Sequence, residues 1–363
     1  MKKPLSARTI WLTLVLLSTL NPQLSTVFAQ GPLTPPGAPA PLFKTLAQIE
    51  PRTPISSAPF TITNRRSFYL TTNLTVATGN AITITANGVT LDLNGFTIAS
   101  TAPSPTGTGI LLSSGRSGVH ILNGFVTGGV TNNGGVYSGS GFANGILHSG
   151  VLPGNVRVAG VSVSGCLNDG INLGSDDSTV AESCAVRVVG GIGIYATSVT
   201  RCTAIQCGIA AIFVRTASDC YGQSSTFYGL YANTADNCFG VSDSYIGLSA
   251  NTANNCYGVS DSSIGLAADT ANNCRGNSSG SQGVRATTAN NCYGFSGSNR
   301  GLYAELATSC YGFCNGGSFG VYATYVANTC YGSSASGTGL YAYIANSCAG
   351  SSVSYTYHYN MPP

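Results

Sequence analysis

Small and apolar residues alternate with polar ones in the C-terminal half of the chain, in a unit that returns every eighteen residues. Residues 229–246 read GLYANTADNCFGVSDSYI, residues 247–264 GLSANTANNCYGVSDSSI and residues 265–282 GLAADTANNCRGNSSGSQ. Alternation with period two is typical of strands, and self-similarity at a fixed short period is typical of stacked arrays. The unit is too short for a helical hairpin repeat, and its Gly, Ser, Asn and Thr are poor helix formers. We therefore predict an all-β solenoid with one coil of short strands per repeat.

The alternation assigns an orientation to each side chain of a coil. Leu230 and Ala232 should point inward with Tyr231 outward, and Ala235 inward again. Asn237 should adopt the left-handed turn conformation, which Asn tolerates well. Because coils stack at about 4.8 Å, each repeat position should become a ladder along the axis. The asparagines Asn237, Asn255, Asn273 and Asn291 are predicted to form an amide ladder of this kind.

Eleven cysteines form the most regular ladder, and only Cys207 and Cys314 lie off its spacing. The pattern favours buried free thiols, since a small core residue alternates with Ala and Ser here. Some disulfides remain an alternative, because adjacent coils would bring Cα atoms within the permitted range of about 4.4–6.8 Å. Zinc is disfavoured, because no CxxC pair or nearby His accompanies the ladder. The ladder comprises Cys166, Cys184, Cys202, Cys220, Cys238, Cys256, Cys274, Cys292, Cys310, Cys330 and Cys348.

The first half of the chain is interpreted as a leader, a linker and longer coils of the same solenoid. Lys2, Lys3 and Arg8 precede an apolar run at residues 10–17, and small residues precede Gln30, so residues 1–29 are predicted to be a cleavable signal peptide. Residues 30–58 form a Pro-rich linker with a possible short capping helix at 42–49. The parallel β-helix is expected at 59–355 and a tail at 356–363. Cleavage implies a secreted or extracytoplasmic protein.

Composition narrows the range of partners. Once residues 1–29 are removed, Lys and Arg number twelve, as do Asp and Glu, so no basic surface favours nucleic acid. The apolar run of the leader is shorter than the roughly 20 residues that span a bilayer, and no other stretch is long enough, so we expect no membrane span in the mature chain. Charged residues are only 7% of the chain while hydrophobic residues are 43%, which indicates repetition rather than disorder.

Three segments carry a resemblance to a known family. Residues 80–98 (NAITITANGVTLDLNGFTI), 35–41 (PPGAPAP) and 49–55 (IEPRTPI) resemble secreted bacterial members of the right-handed parallel β-helix, or pectate-lyase-like, proteins. The resemblance covers roughly residues 30–350 and implies right-handed winding. The repeat alone also allows three hexads of a left-handed helix, since Ala232, Cys238 and Ser244 lie six apart.

Enzymes of this family act on acidic polysaccharides, so the resemblance directs attention to carboxylates. Residues 168–177 (NDGINLGSDD) are similar to the aspartate motif of polygalacturonases with one residue missing, which makes Asp169, Asp176 and Asp177 weak catalytic candidates. The Gly-His-Gly and Arg-x-Lys elements of that family are absent. Asp-Gly and Asp-Asp pairs are also ordinary turn signals, and this interpretation is favoured. A Ca²⁺ site at this segment, or at Asp243 and Asp261 on neighbouring coils, is a weaker alternative; no other cofactor is indicated.

Aromatic residues provide the ligand-binding candidates. Rings that directly follow the ladder cysteines should face outward in one column, interrupted by Arg275, and a second column is less regular. Regularly spaced exposed rings can stack on sugars or on a partner protein. The favoured interpretation is that the rings pack on one another and strengthen the sheet, with ligand binding as the alternative. The first column contains Tyr221, Phe239, Tyr257, Tyr293, Tyr311 and Tyr331; the second contains Tyr195, Phe213, Tyr231, Tyr303, Tyr322 and Tyr341.

Two functional hypotheses follow from these features. The favoured one is a non-enzymatic secreted or cell-surface solenoid with a structural, adhesive or glycan-binding role, whose partner would be a polysaccharide or cell-envelope component. The alternative is a polysaccharide lyase or glycoside hydrolase centred on Asp169, Asp176 and Asp177. Since residues 351–363 contain no obvious capping helix, end-to-end self-association is also possible.

Overall fold

The computed structural model describes residues 50–175 and 178–359, and every regular element within them is a strand. The expected signal peptide, the helix at 42–49, Asp176 and Asp177 lie outside these residues. By its internal contacts the chain divides into residues 1–51 and residues 52–363, and all the strands belong to the second unit. No helix in the described part of the chain is long and apolar enough to cross a membrane.

The strands of the first half are short and unevenly spaced. They are β1 Thr53–Ile55, β2 Phe60–Ile62, β3 Ser67–Leu70, β4 Leu74–Val76, β5 Ile82–Ile84, β6 Thr90–Asp92, β7 Thr97–Ser100, β8 Thr108–Leu112, β9 Ser117–Thr127, β10 Gly129–Asn133, β11 Val136–Ser140, β12 Asn144–His148, β13 Gly154–Cys166, β14 Ile171–Asn172, β15 Thr179–Glu182 and β16 Ala185–Val189.

The strands of the second half alternate between a longer and a shorter element. They are β17 Ile194–Thr200, β18 Thr203–Cys207, β19 Ile212–Ser218, β20 Tyr221–Ser224, β21 Leu230–Asp236, β22 Phe239–Ser242, β23 Leu248–Asn254, β24 Tyr257–Ser260, β25 Leu266–Asn272, β26 Arg275–Ser278, β27 Val284–Asn290, β28 Tyr293–Ser296, β29 Arg300–Thr308, β30 Tyr311–Cys314, β31 Phe319–Asn328, β32 Tyr331–Ser334, β33 Thr338–Asn346, β34 Ala349–Gly350 and β35 Val353–Tyr359.

All described strands except the β10–β11 hairpin join one parallel sheet that winds as a solenoid. From Ile194 to Leu302 the apolar positions pair every eighteen residues: Leu230 pairs with Leu248, and Leu248 pairs with Leu266. Earlier coils are longer, since Ile110 pairs with Ile146. The prediction of an all-β parallel solenoid is therefore confirmed. Its strands extend from β1 to β35, and so reach into the segments that we assigned to the linker and the tail.

One apolar ladder runs through the whole stack, which explains why coils of different length form a single core. Each member pairs in register with the next and is buried in the interior, as its branched apolar side chain predicts. The ladder runs from Ile82 through Ile110, Ile146, Ile171, Ile194, Ile212, Leu230, Leu248, Leu266, Val284, Leu302 and Val321 to Leu340.

The short coils close around a narrow core. Gly258 lies opposite Gly265, and a Cβ atom built on Gly258 would collide with the carbonyl oxygen of Gly265. The same collision would occur between Gly240 and Gly247 in the preceding coil. The Cys-aromatic-Gly and Gly-Leu segments of the repeat are therefore two walls that touch across the interior, and only glycine fits where they meet.

A left-handed turn precedes the ladder cysteines. The residue before the cysteine has a positive φ in the regular coils, as at Asn237 (51°), Asn255 (52°) and Asn273 (53°), which confirms the predicted turn. The amide ladder is shifted by one residue from our prediction: Asn272 Nδ2 donates to Asn254 Oδ1 at 2.9 Å, and Asn290 Nδ2 donates to Asn272 Oδ1 at 2.9 Å. The asparagine in the turn points outward, because its backbone conformation directs its side chain to solvent.

Leu230→Ala tests the register of the stack. Leu230 is fully buried in β21, so its truncation leaves a cavity and should lower the free energy of unfolding by about 2–5 kcal/mol. Asn233→Ala, at an exposed position of the same strand, should change it by less than about 0.5 kcal/mol. Urea unfolding of both variants makes the comparison, and equal effects would contradict the assigned orientation of β21.

Candidate functional site

The cysteine ladder lies inside the solenoid. All thirteen cysteines are buried and free of disulfides, and the eleven ladder members are at most 3% exposed. Their thiols donate to backbone carbonyls beside the left-handed turn: Cys256 Sγ to the Asn254 oxygen at 3.1 Å, and Cys274 Sγ to the Asn272 oxygen at 3.2 Å. The thiols thus fill the core and supply a donor to carbonyls at each turn, which agrees with the interpretation as buried free thiols.

The two cysteines off the main spacing belong to a second internal ladder that we did not predict. Its other members are serines: Ser260 Oγ donates to the Tyr245 carbonyl oxygen and accepts from Ser263 N at 2.8 Å. Cys314 makes the same pair of contacts, with the Asn299 oxygen at 3.1 Å and Gly317 N at 3.0 Å. The ladder contains Cys207, Ser224, Ser242, Ser260, Ser278, Ser296, Cys314 and Ser334.

Burial makes Cys166 and Cys207 poor nucleophiles. Desolvation raises the pKa of Cys166 to about 12, and it also raises the pKa of Cys207. Since the thiolate is the reactive form, neither sulfur is suited to catalysis at neutral pH. The described His, Cys, Asp and Glu residues include no group of three or more that converges as a metal site.

The first aromatic column is stacked on itself. Phe239 and Tyr257 lie with ring centroids 4.8 Å apart and planes 7° from parallel, and Tyr293 and Tyr311 lie 5.2 Å and 2° apart. Arg275 fills the interruption, with its guanidinium carbon 5.5 Å from the Tyr257 ring and 5.2 Å from the Tyr293 ring. The inner members therefore have a neighbour against each ring face, and mostly ring edges remain for a ligand.

The second column has two stacked parts with a gap between them. Phe213 and Tyr231 are stacked at 4.7 Å in the first part, and Tyr303 and Tyr322 at 5.6 Å in the second. Between the two parts the column position holds Ser249, Ala267 and Arg285. Strand pairing joins Tyr231 to Ser249, Ser249 to Ala267, Ala267 to Arg285 and Arg285 to Tyr303. A surface cleft occupies this gap.

Asp169 lies in a turn whose contacts bind neighbouring coils together. Its Oδ1 accepts from Ile192 N at 2.9 Å, and its Oδ2 accepts from Asn172 Nδ2 at 2.7 Å. Its own N–H donates to Asn144 Oδ1 at 3.3 Å. Both carboxylate oxygens are thus engaged by the fold. Asp176 and Asp177 lie outside the described residues, so the proximity of the three carboxylates stays untested.

Asp243 and Asp261 lie on adjacent coils, as the repeat predicts. Both side chains are exposed, and partial desolvation together with the charge of Asp261 raises the pKa of Asp243. Mutual repulsion of this kind is what a cation would relieve. Two exposed carboxylates supply few of the six to eight oxygen ligands that Ca²⁺ takes, so we assign them no site.

Comparison with protein-family models, with curated proteins and with solved structures finds no match for this chain. The assignment as a parallel β-solenoid therefore rests on the strand pairing itself. Any functional assignment has to be argued from the surfaces described above.

Thiol labelling tests the burial of the cysteine ladder. Without reductant, the unfolded protein should react at all thirteen cysteines, since each is free. In the folded protein labelling should be slower by orders of magnitude, because the thiols are buried and, at Cys166, protonated at neutral pH. Mass spectrometry counts the modified sites. Fewer than thirteen labels after unfolding would reveal disulfides, and rapid labelling of the folded protein would contradict a closed interior.

A double-mutant cycle tests whether the first column stabilises the solenoid. Replacing Tyr293 and Tyr311 by Ala, singly and together, should give a coupling of about 0.5–1.5 kcal/mol, because the two rings are stacked. The matched cycle on Tyr293 and Tyr331, which are separated by one intervening ring, should give a coupling near zero. Denaturant unfolding supplies the free energies. Equal couplings in the two cycles would mean that direct ring contact is not the cause.

Proposed function

We propose that the protein is a non-enzymatic β-solenoid that serves as a structural and adhesive element outside the cytoplasm. The observation that carries this proposal is the in-register repetition of the short coils. Ladders of thiols and serine hydroxyls run along the axis, and in part of the stack amides and rings also connect neighbouring coils. Such an arrangement favours an extended, stiff surface rather than a single reaction centre.

The stacking of the rings in the first aromatic column refines the adhesive part of the proposal. Rings that are stacked on both faces contribute to the stability of the solenoid, and their exposed edges form a striped outer surface. Contact with a large flat partner, such as a cell-envelope component, suits this surface better than the stacking of sugar rings along the column. Polysaccharide therefore remains a proposed partner at positions where no neighbouring ring covers the face of an aromatic side chain.

Catalysis receives less support from the geometry. The carboxylate of Asp169 already accepts two hydrogen bonds that hold its turn, and the fold would lose these contacts if the group served as an acid or nucleophile. A lyase or hydrolase would also need further catalytic groups beside Asp169, and in the sequence Asp176 and Asp177 are the candidates. Kinship with pectate-lyase-like proteins, right-handed winding and export by a cleaved leader remain parts of the proposal that rest on the sequence.

Cell fractionation and an activity screen test this function together. The protein, expressed with its leader in a bacterium, should appear outside the cytoplasm with Gln30 as its first residue, and the purified mature chain should co-sediment with cell envelopes. It should release no reducing ends or unsaturated products from polygalacturonate or alginate, with or without Ca²⁺. Asp169→Asn is the matched variant. Product formation that this variant abolishes would establish the enzymatic alternative, and failure to bind envelopes would refute the adhesive role.

A further inference from the structure

The gap in the second aromatic column forms a cleft of about 350 Å³ on the surface of the solenoid. Tyr231 lies at one end and Tyr303 at the other, and four strand spacings of about 4.8 Å put them roughly 19 Å apart. Ser249 and Ala267 occupy the two column positions next to Tyr231, and Arg285 occupies the one next to Tyr303. The cleft therefore exists because small side chains replace rings in consecutive coils.

At the bottom of the cleft, a ladder of alanines is more exposed than it is in the coils at either end. In each of these coils, an alanine directly follows the residue of the second aromatic column. This alanine is fully buried in the two coils that bound the cleft, as Ala232 and Ala304. Its exposed fraction rises to 7% at Ala250 and 4% at Ala286, and Ala268 between them is only partly buried. Ligand atoms could thus approach a core ladder most closely at Ala268, at the middle of the gap.

Tyr231 lines one end of the cleft with a ring that its neighbours hold in a fixed position. One face is stacked on Phe213 at 4.7 Å, and Tyr228 packs at 5.0 Å in a tilted arrangement. The next two column positions are Ser249 and Ala267, so no ring of this column follows Tyr231, and its side chain lines the cleft. A supported ring that lines a cleft suits the C–H face of a pyranose, because the electron-rich face attracts the positive ends of C–H bonds.

Polar groups around the cleft are available to a ligand. Within the described residues, the side chains of Asp269, Arg285 and Glu305 form neither an ion pair nor a hydrogen bond. Asn251 adds a neutral donor and acceptor along the same edge. Two carboxylates against one guanidinium give the lining a net negative charge, which disfavours an acidic sugar and leaves both donors and acceptors for hydroxyl groups.

We propose that this cleft binds a neutral saccharide, a hexose or N-acetylhexosamine chain, with one sugar ring on Tyr231 and hydroxyl groups bonded to Asp269 and Arg285. The inference rests on the adhesive role proposed above and supplies its site and ligand class. It assigns recognition to a coil that departs from the repeat on both columns, since residues 265–282 also carry Arg275 in place of a ring in the first column.

Titration of the mature protein with chitotetraose, cellotetraose and trigalacturonate, monitored by saturation-transfer NMR, tests the site. At least one neutral tetrasaccharide should bind the mature protein, with saturation strongest on its C–H face, and trigalacturonate should bind at least tenfold more weakly. Ser249→Tyr should reduce neutral binding at least tenfold, because a tyrosine in register with Tyr231 would stack on its ring without removing any contact. Ser249→Ala is the matched control and should retain binding.

Tyr231→Ala and Asp269→Asn should each weaken binding at least threefold, whereas Tyr311→Ala, in the first column, should leave it unchanged. Thermal unfolding checks that every variant is folded. Undiminished binding by Ser249→Tyr, preference for trigalacturonate, or no binding of either neutral probe would overturn the cleft proposal. Envelope co-sedimentation separates the two ideas: if Ser249→Tyr still co-sediments, the adhesive role stands without this site, and if the parent protein does not, the adhesive role itself fails.

Discussion

The structure depends on one constraint, the in-register stacking of coils at the spacing of hydrogen-bonded strands, which in the short coils places residues eighteen apart above one another. No single coil has enough apolar surface to fold alone, because its inward positions are Leu, Ala, Cys, Gly and Ser. Stacking converts each of these residues into a continuous ladder, and the backbone hydrogen bonds between coils keep the register. The Gly258–Gly265 approach limits the width of the core, so the stack gains stability from its length rather than from bulky side chains.

The same constraint governs what the surface can do. Identical residues stacked at this spacing contact each other, so the rings of a regular column cover one another's faces, as Tyr293 and Tyr311 do. The more regular a column is, the fewer ring faces it leaves for a ligand. Ligand recognition then belongs to irregular coils. Residues 265–282 depart from the repeat on both columns, with Ala267 in one and Arg275 in the other, and the cleft lies beside this coil.

Much of this architecture could be predicted from the sequence, because a strict period defines which residues lie above one another. The inward Leu230 and Cys238, and the left-handed Asn237, follow from alternation and turn chemistry alone. The amide ladder was misplaced by one residue, since the choice between Asn254 and Asn255 depends on the direction that the turn gives each side chain. The sulfur of Cys314 replaces the hydroxyl of Ser296, eighteen residues earlier, so the period could also have identified that substitution.

The site was harder to predict than the fold for a related reason. Periodicity draws attention to the residues that repeat, so the ligand-binding candidates from the sequence were the rings of the regular column from Tyr221 to Tyr331. Whether a ring face is free depends on the next coil, and Tyr231 differs from Tyr293 only because Ser249 follows it while Tyr311 follows Tyr293. In a solenoid of near-identical coils, functional positions should therefore be sought where a column residue becomes small and the ladder beneath it, here Ala268, becomes partly exposed.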